Sequence, residues 1–175
     1  MVVDALAAAH GIFDWKQKFT GDYARGSLRV DGGLHDVVLL KPQTFMNASG
    51  DCVQPASAFF KVPPANLVVV HDELDVPWRA VRLKFGGGHA GHNGLRSLVA
   101  RLGTADFGRV RVGIGRPPPA FKGSVADFVL REFDPVERAE QGAVVAHAVG
   151  VVETVVSRGV QEAMRAFGAT SVATR

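Results

Sequence analysis

The chain has a single cysteine, Cys52. No internal disulfide can therefore form, and a buried thiol in a reducing cytoplasm is the expected state. No apolar run approaches the roughly 18 residues of a membrane span, so a membrane-spanning helix is not expected. The opening MVVDALAAAHG carries Asp4 and lacks a basic stretch, which argues against a secretory signal. There is no internal repeat, charged tail or low-complexity tract. Nor is there a G-x-x-x-x-G-K-[ST] sequence, so VVVHDELD cannot serve as the acidic strand of a nucleotide-hydrolysing P-loop protein.

What is present suits one domain, residues 1–175. Hydrophobic residues make up 47% of the chain and charged residues 21%, ordinary for a globular protein. The net charge of +3 is unevenly spread. Residues 82–122 hold eight Lys and Arg against Asp106 alone, a local +7 that leaves −4 for the remainder. Such a zone suits a polyanion, nucleic acid first, although a solvated basic face has the same composition.

Hydrophobic patterning alternates strands with helices. Val2 to Ala9 reads as a helix without a capping residue, stopped by Gly11. YARGSLRV and HDVVLLK flank DGG as a hairpin. A helix is expected from about Ser49, with Pro55 as a kink. NLVVV (66–70) reads as a strand buried on both faces of a parallel sheet, and AVRLKF as an edge or mixed strand. NGLRSLVARLG is a helix ending at Gly103, and RVRVGIG (109–115) is another strand. Asp134-Pro135-Val136-Glu137 carries a cap, a first-position proline and a capping-box glutamate ahead of a long helix ending near Arg158. VQEAMRAFG closes the chain as a short helix. The expected fold is α/β: a single-domain three-layer sandwich, its mixed, mostly parallel twisted sheet covered by helices on both faces.

Chemistry concentrates in KFGGGHAGHNGL (84–95) and HDELD (71–75). His89, His92 and Asp72 could be read as a metal site, but HAGH sits in a glycine loop that would hold ligand geometry poorly. A hydrolytic site fits better. Asp72 stands at the carboxyl end of a strand, where open α/β sheets place ligands. The glycines allow close backbone approach and supply amide donors. Asn47 and Asn93 each precede a helix, so helix capping and the placing of a water or carbonyl are both open to them.

PQTFMNASG, HDELDVP, GGGHAGHNGL and FGRVRVGIGRPP, in that order and spacing, resemble the bacterial peptidyl-tRNA hydrolases. VADFVLREF and the AM-x-x-F near the end match the same family, and the likeness runs from about Val2 to Phe167. The resemblance implies hydrolysis of the ester joining a peptide to the terminal ribose of tRNA, by a cytoplasmic monomer without metal, cofactor or membrane. It implies that Asp72 orients and stabilises a base histidine, as a carboxylate behind an imidazole does. It assigns Phe45, Asn47 and Asn93 to the 3′ end of the tRNA, and Lys84 and Arg111 to a tRNA phosphate. His92 is expected to shape the crevice.

Family members open with a strand and a loop of the kind G-L-G-N-P-G…Y-x-x-T-R-H-N, which carries the base histidine. No stretch of these 175 residues matches it. The expectation is therefore a chain truncated relative to the family, lacking its first strand and its base. His10, His35 and His147 read as structural or surface residues, and His71 should point away from Asp72 across its strand. A non-catalytic tRNA-binding or partner-binding relative is the alternative function. Trp78-Arg79, Ala90, Pro55 and Arg165 also depart from the family pattern. Losing an interior strand would expose the ladder groups of both neighbours and open the core.

Overall fold

The computed structural model describes residues 1–167 and the backbone of 170 and 171. Helix α1 (Val2–Ala9) leads into strand β1 (Lys16–Lys18) and the long hairpin β2 (Gly21–Val30) and β3 (Gly33–Pro42). The hairpin turns through Asp31 and Gly32, both at positive φ, as a two-residue turn between right-twisted strands requires. Helix α2 (Ser49–Phe60) runs through Pro55 and ends at Lys61 in the left-handed region. Then come β4 (Val68–Glu73), β5 (Ala80–Phe85), α3 (Asn93–Leu102) and β6 (Gly108–Gly113). Helices α4 (Val125–Leu130), α5 (Pro135–Arg158) and α6 (Val160–Phe167) and the short β7 (Thr170–Ser171) complete the order.

The α/β class holds; the single, mostly parallel sheet does not. There are two sheets, an antiparallel β1-β2-β3 and a mixed β4-β6-β5-β7. Among the described residues only β4 and β6 pair in parallel. Six residues separate β4 from β5, too few for a parallel crossover, so β5 lies antiparallel on the far side of β6. The longer path from β5 through α3 returns the chain to β6 alongside β4. NLVVV accordingly gives an edge strand, half-buried rather than sealed on both faces. The pattern also missed β1 and α4; Ser124 and Asp127 cap α4 reciprocally.

Helix α5 ties the two sheets together, touching β2 and β3 of one and β5 and β6 of the other. Its start is as read from the sequence: the Asp134 carboxylate accepts from the amides of Val136 and Glu137, and Glu137 accepts from the Asp134 amide. Leu6, Leu28, Leu83, Val110 and Val151 share its core. On the other face of the mixed sheet, α3 packs Leu95 and Leu98 over Phe107. Helix α2 can approach α3 because of Gly50: a Cβ there would lie 2.4 Å from the Ser97 carbonyl. Cys52 is fully buried, and burial pushes its thiol up to about 11, so it stays protonated. No helix among the described residues is long and apolar enough to cross a membrane.

Between the sheets lies a cavity of about 1110 Å³. Consecutive residues line it on both sides, 35–40 of β3 and 68–72 of β4. A sheet face would contribute alternate residues; consecutive ones mean that two strand edges confront each other. Helices α1 and α5 border this slot on one side, α2 and α3 on the other.

Replacing Leu83, which is 4% exposed, with alanine should cost about 2–5 kcal/mol. Leu34→Ala at an exposed strand position should cost less than about 0.5 kcal/mol. Urea midpoints of the two variants measure the contrast.

Candidate active site

The slot ends at the carboxyl end of β4. Strand alternation would send His71 and Asp72 to opposite sides, yet both line the slot, because β4 is an edge strand and the cavity runs along that edge. The expected separation of these two residues is thus corrected. The His71 ring lies 4.8 Å from that of His92, nearly perpendicular to it. His92 Nε2 stands 3.6 Å from Asp72 Oδ1, within ion-pair range but longer than a hydrogen bond.

His92 reaches this place because it caps α3. Its backbone is extended, and its Nδ1 accepts the amide proton of Leu95 at 3.2 Å. With that lone pair engaged, the neutral ring carries its proton on Nε2, directed at Asp72. Neither nitrogen is then free to take a proton from water. The His92 contact lowers the pKa of Asp72, outweighing the partial burial that alone would raise it. A carboxylate is therefore maintained at the end of the slot.

His71 donates from Nδ1 to the Asp72 carbonyl at 2.7 Å, while its buried Nε2 has no hydrogen-bond partner among the described residues. Burial pulls its pKa down to about 4, so the ring is neutral at physiological pH. Sequence reasoning passed over His71 because β4's edge position is a tertiary fact.

The other expected residues surround this centre unequally. Asn93 is the first helical residue, not the cap; it is exposed, and its Oδ1 accepts from Arg96 at 2.8 Å. Phe45, 88% exposed, and Asn47 stand on the surface of the turn at residues 45–48. Asn47 does not cap α2, whose cap position is Ala48. Met46 of that turn packs beside Gly94, bringing the Asn47 turn against the start of α3. No set of three or more His, Cys, Asp or Glu among the described residues is grouped to hold a metal.

Half of the basic zone is a sheet face. Pairing of β5 with β6 sets Arg82 opposite Arg111 and Lys84 opposite Arg109, so the four side chains leave the same face. Arg111 donates from Nε to Glu73 Oε2 at 3.0 Å, so an arriving phosphate would share it with a carboxylate. Lys84 is exposed, its Nζ close to Gly87. Arg109 is buried and absent from the sequence-based selection, since a buried arginine has no local signature.

Two of the departures carry backbone strain. Arg79 and Ala90 have φ of 72° and 46°, in the region that favours glycine. Glu140 on α5 holds the first pair in place, accepting from Trp78 Nε1 at 2.8 Å and meeting Arg79 at 3.1 Å. Pro55 lies inside α2, and Arg165 pairs with Glu162 one turn earlier.

The model of the family described as peptidyl-tRNA hydrolase matches residues 1–175. A peptidyl-tRNA hydrolase from Sorangium cellulosum (strain So ce56) is 52% identical over 164 residues, covering 94% of this chain and 72% of that protein. One from Mycobacterium marinum is 47% identical over 165 residues, 93% of this chain and 83% of that one. For a relative from Ruegeria sp. the identity is 51% over 142 residues, 81% of this chain and 53% of the relative, so the chain spans about half of that protein. A crystal structure of peptidyl-tRNA hydrolase from Acinetobacter baumannii superposes with a TM-score of 0.85 at 39% identity, over 98% of this chain and 85% of that one.

Two outcomes are expected from the site's local chemistry. Between pH 6.5 and 4 the unfolded chain binds a proton at His71 that the folded chain refuses, so stability present above 6.5 is lost as pH falls toward 4. His147, also lowered by burial, adds in the same direction, whereas Asp72 acts only below its ordinary 3.8. Urea midpoints across this range should fall less steeply in His71→Phe than in the parent. Separately, Ala90→Gly relieves a left-handed alanine and should raise stability by roughly 1 kcal/mol, read as a shift in melting temperature.

Proposed function

The chain belongs to the peptidyl-tRNA hydrolase family, and from that premise we propose that it acts on the ester linking a peptide to the terminal ribose of tRNA. In that reaction a base takes a proton from water, the water oxygen attacks the ester carbonyl, and the bond from the carbonyl carbon to the ribose oxygen breaks as that oxygen takes the proton back and leaves as a hydroxyl. The observation that carries this reading is Asp72, held ionised at the end of the slot and facing His92 beside the start of α3.

The roles follow from the chemistry of each position. Asp72 would support the cation formed when a neighbouring imidazole takes the water proton. Asn93 and the turn bearing Phe45 and Asn47 lie around the start of α3, where the 3′ terminus of tRNA would enter; amides there can position the ester without adding charge. Lys84 and Arg111 would hold a phosphate of the same tRNA, positioning it without reading its sequence. His92 keeps its assignment as a wall of the crevice, since its Nδ1 is spent on the Leu95 amide and its protonated Nε2 faces Asp72. The enzyme would work in the cytoplasm as a monomer, with no metal or cofactor taking part.

The base is the remaining part. We infer that the family's opening strand belongs in the slot between β3 and β4, where its backbone could pair with both edges, and that the loop after it would deliver the base histidine to Asp72. His71 is a poor substitute because burial holds it near 4, far below a base poised for neutral pH. The same facts favour a second reading, a non-catalytic tRNA-binding relative, for a chain working with only these 175 residues.

Release of N-acetylaminoacyl groups from tRNA separates the readings, with folding followed by circular dichroism. The 175-residue chain should bind tRNA with affinity falling steeply with salt, and Lys84→Gln should lower that slope by about one. Its hydrolysis should run ~10²–10⁴-fold below that of the chain extended by the family's opening strand and loop. Equally fast hydrolysis by the unextended chain would overturn the assignment of the base. Binding indifferent to salt would overturn the phosphate contacts.

A further inference from the structure

Arg109 is 2% exposed, the largest of the fully buried side chains, and sits on β6, the one strand of the mixed sheet paired with both β4 and β5. A buried guanidinium normally requires a carboxylate, since desolvation of an unpaired charge costs several kcal/mol. No carboxylate among the described residues pairs with this one. Instead Nη1 donates to the Gly88 carbonyl at 2.7 Å, and Nη2 to the carbonyls of Gly87 at 2.7 Å and Ala105 at 3.4 Å. The guanidinium carbon lies 4.7 Å from the Phe107 ring centre, so an aromatic face supports the fork.

These carbonyls belong to the segment that carries the chain from β5 to His92. Strand β5 ends at Phe85, opposite Gly108, whereas Asp72 lies opposite Val112. The segment must therefore climb four residues of sheet, about 13 Å at ~3.3 Å per residue. It does so through Gly86, Gly87, Ala90 and Gly91 at positive φ. A path so rich in glycine has little conformational preference of its own and must be held from outside. The Gly86 amide is fixed to the Phe107 carbonyl at 3.1 Å, and the His92 amide to the His89 carbonyl at 2.8 Å. Between those anchors, Arg109 grips the two carbonyls in the middle.

We infer that Arg109 is a positioning residue, a clamp on the glycine segment that sets where His92 meets Asp72 and where Asn93 begins α3, and that it does not contact tRNA phosphate. The tRNA part of this inference rests on the function proposed above; the clamp itself does not. Arginine is required because its planar fork reaches two adjacent carbonyls at once, which a lysine ammonium cannot reproduce. The charge belongs to the basic face by composition, but it is spent on the backbone.

The test compares the parent chain with Arg109→Lys and Arg109→Met by amide hydrogen exchange, the NMR signals of the His71 and His92 rings, and tRNA binding over a range of salt. Arg109→Lys should speed exchange at residues 86–93 by about tenfold or more, as loss of hydrogen bonds to a charged donor implies. It should also shift the His92 ring signals while leaving α5 amides protected and the salt slope unchanged. Unaltered exchange at 86–93 and unaltered ring signals would overturn the clamp. So would loss of protection spread equally through α5, which marks a general stability role. In Arg109→Met, a salt slope lowered by about one with the segment unaltered would make Arg109 a phosphate ligand instead. Should the methionine variant fail to fold, the lysine variant still decides through exchange and ring signals. Absence of tRNA binding in the parent would count against the proposed function alone, because the exchange result stands without tRNA.

Discussion

The parallel pairing of β4 with β6 is the constraint on which the site depends. Its register puts Asp72 level with Val112 and His71 level with Arg111. One consequence is that the acidic end of β4 and the basic face of β6 lie side by side. The other is that the chain needs a crossover between the two strands. That crossover contains β5, the glycine segment and α3, so the connection that makes parallel pairing possible also supplies His92 and Asn93. The site is in this sense a product of the topology.

Electrostatics is arranged so that three of the charges here have separate partners. Glu73 takes Arg111, the carbonyls of Gly87 and Gly88 take Arg109, and His92 faces Asp72. Lys84 stays exposed. On the proposed reading, a phosphate approaching this face would meet an exposed ammonium and a guanidinium already oriented by a carboxylate. Preorientation of this kind lowers the side-chain entropy lost when a polyanion binds.

The slot between β3 and β4 links architecture to activity. Two strand edges with backbone groups facing a cavity of about 1110 Å³ form a place for extended chain. The slot ends at Asp72, so whatever occupied it would finish beside the carboxylate.

Much of the local structure was legible in the sequence because it depends on neighbours along the chain. The DGG turn, the Asp134 cap, the helix stop at Gly103 and the basic stretch all follow from side chains within a few residues of one another. The family motifs singled out Asp72, Asn93 and Lys84 as candidates. Alternation alone misplaced His71, because a period of two says which way a side chain leaves a strand and nothing about whether that strand lies at an edge. Sheet number and direction were missed for a similar reason: NLVVV reads the same whether its neighbour is parallel, antiparallel or absent. His92 is expected from its motif to shape the crevice, but its place against Asp72 arises from contact with a distant part of the chain. Sequence by itself determined the elements, the charge and the residue types available for chemistry. Tertiary structure alone decided which backbone carbonyls a buried arginine would hold, which edges would face each other, and which imidazole would stand against the carboxylate, since each depends on groups far apart in sequence being packed together.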